Sequence, residues 1–303
     1  MSERTIGYVD YELGNYHANV YLKHLREDLA DRGFRLGGCF ALEAESGREW
    51  AEQNEVPFCE STAELDERCD FFMVLAPSNP ELHLELCEMV FPFGKPTYVD
   101  KTFAPDIETA EAIFALADEH GVAMQTSSAL RYTNVQEEVR ALEDETLRHM
   151  VTWGGGRSFG EYAIHPVELA VSCLGAEAIS LMRRGTGAES QLLIDFSGGR
   201  TAVINVYTEA QTPYAASITT AQSTRLIEVE TGEIFLNTLR AVLDLFETGR
   251  PEVPRAESLT VRRILDAAIR PEALSGFGPL SDSSVLSCGI TVTVNPNLHP
   301  YPH

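Results

Sequence analysis

The chain has 303 residues, of which 44% are hydrophobic and 23% are charged, and its formal net charge at pH 7 is −23. This length fits one large domain or two ordinary ones, and the composition is that of a globular protein with a hydrophobic core. Because the negative charge repels phosphate backbones, we expect no nucleic-acid partner. No segment reaches the roughly 18 apolar residues of a membrane span, and the start MSERTIGYVD lacks a signal-peptide pattern. We therefore expect no membrane contact and a cytoplasmic location.

Residues 1–130 alternate between predicted strands and helices. Strands are predicted at 5–9, 34–42, 71–76, 97–99 and 122–126, with helices at 16–29, 45–53, 80–90 and 104–120. The run FFMVLA at 71–76 is apolar throughout, which is typical of a central parallel strand covered on both faces. This rhythm predicts an α/β domain with a doubly wound, mostly parallel sheet that holds a ligand at the carboxyl ends of its strands.

Residues 131–280 follow a different pattern. Helices are predicted at 134–142, 165–174, 235–247 and 258–269, and successive strands between 179 and 229. Strands that follow one another with turn residues between them predict an open antiparallel sheet in an α+β domain, which would shape a substrate pocket. Residues 281–303 have no helical period and are predicted to be a loosely ordered tail.

The turn after the first strand is the place where a dinucleotide-binding chain carries its G-x-G-x-x-G fingerprint. Here the turn reads DYELGN, in which Gly14 is the one glycine and Asp10 and Glu12 stand where glycines are expected. Two carboxylates disfavour a pyrophosphate at a helix N-terminus unless they point away. Gly14 is thus a candidate cofactor contact, and an ordinary strand–helix turn is the alternative.

The ends of the next two strands offer further candidates for cofactor binding. Glu43 could accept hydrogen bonds from an adenosine ribose, or it could be a solvated glutamate at a helix start. The third strand ends in LAPSNPELH, which is either an ordinary helix cap or a polar lining for a nicotinamide. Under the second interpretation the cofactor contacts are Ala76, Pro77, Ser78, Asn79 and His83.

The fourth strand ends in Asp100-Lys101-Thr102, in a chain that has lysine only at positions 23, 95 and 101. A lysine at the carboxyl end of a parallel strand faces the crevice in which ligands bind. Its ammonium can hold a substrate oxygen and stabilise negative charge on it. We predict that Lys101 is catalytic and that Asp100 and Lys101 contact the cofactor, with a solvated surface lysine as the alternative.

In the segment GEYAIHPVELAVSCLG, Glu161 and His165 are four residues apart, so on a helix they would share a face. A histidine can exchange a proton at neutral pH, and a neighbouring carboxylate can orient it. We predict that both residues are catalytic, whereas the alternative for His165 is a helix cap. The spacing also occurs among metal ligands, but no third ligand is evident, so we expect no metal.

Taken in order, these features resemble the glucose–fructose oxidoreductase/inositol dehydrogenase (Gfo/Idh/MocA) family. The resemblance covers about residues 4–270 and rests on the Ile6-Gly7 strand, the helix with His17-Ala18, and the stretches LAPSNPELHLELCEMVFPFGKPTYVDKT, SSALRY and GEYAIHPVELAVSCLG. It implies a Rossmann domain followed by an α/β domain with an open antiparallel sheet. It further implies NAD or NADP, a small-molecule sugar, polyol or cyclitol substrate, and a homodimer or homotetramer.

The resemblance also assigns roles and exposes departures. Lys101 matches the family's lysine and His165 its catalytic histidine, while Glu161 stands where aspartate is usual. The Glu-Lys-Pro motif of the family reads Asp100-Lys101-Thr102, and the glycine fingerprint is degraded.

The combined interpretation is an NAD(P)-dependent dehydrogenase that interconverts a hydroxyl and a ketone. One alternative is a family member that has lost dinucleotide binding and acts as a sugar-binding or regulatory protein. Another is cofactor-independent lyase or epimerase chemistry at the same lysine and histidine.

Overall fold

A computed structural model of the protein describes residues 4–142 and 145–280. The elements of its first part are, in chain order, β1 (Arg4–Asp10), α1 (Tyr16–Arg26), β2 (Phe34–Ala41), α2 (Ala44–Gln53), α3 (Thr62–Arg68), β3 (Phe71–Val74), α4 (His83–Val90), β4 (Thr97–Asp100), α5 (Ile107–Glu119) and β5 (Met124–Ser127). The five strands form a parallel sheet in the order β2-β1-β3-β4-β5. The predicted doubly wound parallel sheet is confirmed. Strand order reverses at β1 and β3, so a crevice opens beyond their carboxyl ends.

The sequence explains why this sheet forms and where its helices begin. In β3, Phe72 to Val74 are fully buried, as expected for an apolar strand with helices on both faces. Helix α1 begins at Tyr16 because the Asn15 side chain accepts a hydrogen bond from the backbone N–H of Ala18. The N-terminus of α1 therefore lies directly beside the crevice.

The second sheet has seven strands in the order β11-β10-β6-β9-β8-β7-β12. The elements of this part are α6 (Asn134–Arg140), β6 (His149–Gly155), α7 (Phe159–Tyr162), α8 (Ile164–Leu174), β7 (Ala178–Arg184), β8 (Glu189–Phe196), β9 (Arg200–Tyr207), β10 (Ala215–Thr219), β11 (Thr224–Glu228), α9 (Ile234–Thr248), α10 (Arg255–Ile269) and β12 (Gly278–Pro279). The sheet is mostly antiparallel, as predicted, but it is mixed because β6 runs parallel to β9. The sequence analysis did not predict β6. Its parallel pairing with β9 is therefore a difference from the predicted antiparallel sheet.

Helix α9 lies in the second half of the chain but packs against the first sheet. Leu239 and Val242 of α9 are fully buried in the same apolar cluster as Tyr21 and Leu25 of α1, and Phe246 stacks on Phe71 at 4.7 Å between ring centroids. The first hydrophobic core is thus completed by a helix that follows six of the seven strands of the second sheet in the chain. The division into domains 1–130 and 131–280 is kept here as a proposal, and the predicted tail 281–303 lies outside the described residues. In the part of the chain that the structure describes, none of the helices has the length and apolar character of a bilayer span.

Candidate active site

A cleft of about 630 Å³ separates the two sheets at the carboxyl ends of the parallel strands. Side chains from both parts of the chain line it, among them His17, Ser78, Lys101, Tyr162, His165 and Tyr214. The structure therefore brings Lys101 and His165 to one cavity, although they lie on different elements far apart in sequence. A substrate in this cleft can contact both an amine and an imidazole.

Lys101 follows β4 and is held by its neighbours. Its Nζ donates to the carbonyl oxygen of Pro77 at 3.3 Å, and its backbone N–H donates to Oδ1 of Asp100 at 2.9 Å. Asp100 is fully buried and is in direct contact with Nδ1 of His17. Burial alone would raise the pKa of Asp100, but the charge and hydrogen bond of His17, together with the Lys101 ammonium, lower it. Asp100 is therefore an ionised carboxylate that anchors the base of the cleft.

His165 lies in the first turn of α8 and is half-buried. Its Nδ1 is 2.8 Å from Oγ of Ser128, and its ring packs beside Tyr162 and Tyr214 with centroids 6.0 and 5.8 Å away. Burial lowers the pKa of His165 to about 3, with a further lowering from the positive charge of Lys101. The imidazole is therefore neutral at pH 7.

Glu161 lines the same cleft but is exposed and has its own partner. The Ser158 hydroxyl donates to Oε2 of Glu161 at 3.2 Å, and the Glu161 N–H donates back to Oγ of Ser158 at 3.3 Å. The structure shows no contact between Glu161 and His165 among the described residues, and Ser128 occupies Nδ1 instead. The catalytic role of Glu161 stays a prediction.

The structure shows how the two carboxylates of the turn after β1 are oriented. Asp10 is buried and accepts hydrogen bonds from the N–H groups of Ala76 and Glu12 at 3.1 and 3.2 Å and from Nδ2 of Asn15 at 2.9 Å. Burial raises the pKa of Asp10 to about 7 despite these bonds. Its carboxyl group faces the protein interior, away from the place of a pyrophosphate.

Glu12, in contrast, stays on the outside of the turn. It is exposed, and its Oε1 lies 3.5 Å from the position that a Cβ on Gly14 would take. Gly14 is otherwise open, so the backbone at the N-terminus of α1 is accessible to a phosphate. The turn fits a dinucleotide, with the Glu12 carboxylate as one group that opposes its charge.

The other predicted cofactor contacts divide into two groups. Pro77 and Ser78 line the cleft. Ala76 is buried and donates its N–H to Asp10, while Asn79 donates to Glu81 at 3.3 Å. His83 is fully buried, and its Nε2 lies 2.8 Å from the carbonyl oxygen of Leu75, so it supports β3 rather than lining the cavity.

Glu43 lies just after β2, at the edge of the sheet where an adenosine ribose would be bound. It is exposed and accepts a hydrogen bond from the Tyr11 hydroxyl at 3.1 Å. The position is compatible with ribose binding, but Tyr11 is already its partner.

Sequence reasoning missed Tyr162, which lines the cleft, and Ser128, which contacts His165. The contact between Ser128 and His165 joins residues 37 positions apart, so no local pattern indicated it. His17 was noted only as part of a resemblance, and its contact with Asp100 spans 83 positions. Among residues 4–142 and 145–280, no group of three or more His, Cys, Asp or Glu side chains is arranged to hold a metal ion.

The part of the chain that contains the parallel sheet matches a known protein family. Residues 6–128 match the family model described as "Oxidoreductase family, NAD-binding Rossmann fold", named GFO_IDH_MocA. The match covers the parallel sheet except for the first two residues of β1, and it confirms the resemblance for that part of the chain. No curated protein sequence matches the chain significantly.

Solved structures share the fold over nearly the whole described chain. A putative myo-inositol dehydrogenase from Sinorhizobium meliloti has a TM-score of 0.79 at 15% identity, covering 92% of this chain and 100% of that one. A putative NADPH-dependent oxidoreductase from Desulfitobacterium hafniense has a TM-score of 0.78 at 12% identity, covering 92% and 98%. An Agrobacterium radiobacter oxidoreductase in complex with NAD⁺, L-tartaric acid and magnesium has a TM-score of 0.74 at 14% identity, covering 92% and 99%. At these identities the likeness establishes a shared fold.

Proposed function

We propose that this chain, whose nucleotide domain belongs to the oxidoreductase family with an NAD-binding Rossmann fold, interconverts a hydroxyl and a ketone on a sugar, polyol or cyclitol. The observation that carries the proposal is the meeting of Lys101 and His165 in one cleft beside the switch point of the parallel sheet. The names of the neighbouring structures, which include a myo-inositol dehydrogenase, support the substrate class.

The nucleotide would be held by the exposed backbone around Gly14, with Pro77 and Ser78 as contacts for the nicotinamide and Glu43 as a contact for the ribose. When bound, NAD or NADP exchanges hydride with the carbon that bears the substrate oxygen. Its fit rests on the inward orientation of Asp10, which leaves the helix N-terminus open.

The side chains of the cleft then act on the substrate oxygen. The Lys101 ammonium donates a hydrogen bond to that oxygen and stabilises negative charge as it develops. His165, neutral at pH 7, exchanges the hydroxyl proton with the oxygen. Tyr162 and Tyr214 flank the imidazole and present apolar faces with hydroxyl groups, which suits a polyhydroxylated ring.

The test is cofactor reduction, followed as absorbance of NADH or NADPH, with a panel of polyols, sugars and cyclitols that includes myo-inositol. In His165→Asn we expect turnover with the active substrate to fall by roughly 10²–10⁴-fold, the usual contribution of acid–base catalysis. His149→Asn is the matched control, because His149 is also half-buried and hydrogen-bonded but lies on β6 outside the cleft. Unchanged turnover in His165→Asn would remove His165 from the mechanism.

A second candidate function is favoured by one observation, the exposed Glu12 carboxylate at the pyrophosphate position. Under this proposal the protein binds a sugar without a dinucleotide and acts as a binding or regulatory protein. Calorimetric titration with NAD⁺ and NADP⁺ separates the two. Micromolar binding of either supports the dehydrogenase, and heat from sugars alone, with none from either nucleotide, supports the binding protein.

A homodimer or homotetramer and a cytoplasmic location are further parts of the proposal. They rest on the family resemblance, and sedimentation equilibrium of the purified chain tests the first of them. A molecular mass of 33.4 kDa, that of a single chain, would overturn the oligomer.

A further inference from the structure

The hydrogen bond between Ser128 and His165 decides which nitrogen of the catalytic imidazole carries its hydrogen. Ser128 is fully buried at the end of β5, and its Oγ is 2.8 Å from Nδ1 of His165. Its backbone N–H donates to Oε2 of Glu168 at 2.6 Å, which fixes the residue in place. The backbone of Ser128 is therefore held beside the ring, and the direction of its hydroxyl hydrogen is left to the side-chain contacts.

Two arrangements of hydrogens are compatible with this geometry. In the first, the hydroxyl donates to a bare Nδ1, and in the second, an Nδ1–H donates to Oγ. The backbone N–H of Leu130 already donates to Oγ at 3.2 Å. In the second arrangement Oγ accepts both hydrogens, and its own hydrogen then has no acceptor among residues 4–142 and 145–280 other than the ring.

A buried donor without an acceptor is costly, so the first arrangement is favoured by roughly tenfold or more. We propose that Ser128 donates its hydroxyl hydrogen to Nδ1 of His165 and thereby holds the neutral ring in the tautomer whose hydrogen is on Nε2, facing the cleft. Ser128 is thus a positioning residue that acts through His165.

The tautomer adds to the proposed function because it determines whether the resting ring offers the substrate a hydrogen-bond donor or an acceptor. With its hydrogen on Nε2, the neutral ring can donate a hydrogen bond, but not its proton, to a substrate oxygen in the cleft that Lys101 also lines. Two donors that converge on one oxygen match a ketone about to gain negative charge. To accept a hydroxyl proton at Nε2, the ring must first carry its hydrogen on Nδ1, which requires the Ser128 hydroxyl to turn away. This consequence rests on the proposed function, but the tautomer itself does not.

The experiment is nitrogen-15 NMR of the nucleotide-free protein labelled at histidine, at pH 7.5, in which protonated and bare ring nitrogens have well-separated shifts. His165→Asn assigns the signal. We expect wild-type His165 to show a protonated Nε2 and a bare Nδ1, and Ser128→Ala to lose this dominance, while Ser128→Thr, which keeps a hydroxyl, retains it.

The chain contains a matched control. Nδ1 of His149 is 2.8 Å from Oγ1 of Thr201, outside the cleft. Thr201→Ala should alter the His149 signals and leave those of His165 unchanged. A protonated Nδ1 in wild-type His165, or an unchanged tautomer ratio in folded Ser128→Ala, would overturn the proposal. The wild-type spectrum decides the first point even if the variants do not fold. The NMR experiment uses no substrate, so it tests the tautomer alone. The dehydrogenase proposal is tested separately by the cofactor-reduction assay.

Discussion

The imidazole of His17 and the carboxylate of Asp100 are in direct contact beneath the cleft, although 83 positions separate them in the chain. The contact joins α1 to Asp100, which ends β4 and immediately precedes Lys101. It thereby ties the N-terminus of α1 to the position of the Lys101 amine.

We expect Asp100→Asn to destabilise the protein, because it removes the ionised partner of a buried pair. Breaking such a pair by removing one member costs about 3–5 kcal/mol. Urea unfolding of Asp100→Asn, His17→Asn and the double variant measures the coupling between the two side chains.

Asp118→Asn is the control for that series. Asp118 pairs with Arg255 on the surface, where its side chain is 62% exposed, and an exposed pair contributes about 0.2–1 kcal/mol. Equal losses in the buried and exposed variants would contradict the anchoring role of Asp100.

The buried Asp10 predicts an unusual pH dependence of stability. Because burial raises its pKa from 3.8 to about 7, the folded state binds a proton that the unfolded state releases near pH 4. The contribution of Asp10 to stability is thus fully present below pH 4 and is lost as the pH rises through 7, by up to about 4 kcal/mol.

Asp10→Asn keeps the shape of this side chain but does not titrate. The free energy of unfolding of this variant, measured by urea between pH 4.5 and 8.5, should fall less steeply with pH than that of the wild type. A constant difference between the two proteins across this range would show that Asp10 is already ionised when folded.

Glu12→Gln should tighten dinucleotide binding. The substitution removes a negative charge near Gly14, the expected place of the pyrophosphate, and we expect the Kd for NAD⁺ to fall by roughly 3–10-fold at low salt and by less at high salt. Calorimetric titration measures this Kd. Glu119→Gln, at the C-terminal end of α5, is the control for the change in net charge. Weaker binding by Glu12→Gln would instead assign Glu12 a favourable contact, such as one to a ribose hydroxyl.

Lys101→Met should raise the pKa of His165. Burial is the main reason why that pKa is lowered to about 3, and the Lys101 charge is the next contribution. Removing the ammonium leaves burial in place, so the pKa moves upward while staying below the usual 6.5. NMR titration of the His165 ring follows the change, and a pKa that does not move would contradict the contribution of the Lys101 charge.

The local patterns of the sequence predicted much of the fold but little of the site's inner contacts. The unbroken apolar run at β3 and the helical periods identified the parallel sheet, because each depends on neighbours in the chain. Strand β6 was missed because HMVTWGG alternates weakly and ends in two glycines, and only its pairing with β9 and β10 makes it a strand.

The location of Lys101 and His165 in the cleft could be predicted because each lies beside a recognisable end of a strand or helix. Glu161 was predicted from its helical spacing to orient His165, yet its carboxylate is held by Ser158. The partner of His165 is Ser128, 37 positions away, and no spacing rule connects residues at that distance.

The packing of α9 has a consequence for how this protein can be divided. A fragment that ended after β5 would contain every strand of the parallel sheet and yet leave uncovered the apolar surface of Tyr21, Leu25 and Phe71 on which α9 rests. The half that contains the parallel sheet is therefore discontinuous along the polypeptide: six of the seven strands of the second sheet, β6 to β11, lie between β5 and α9, and that half cannot pack completely until the chain has passed through them.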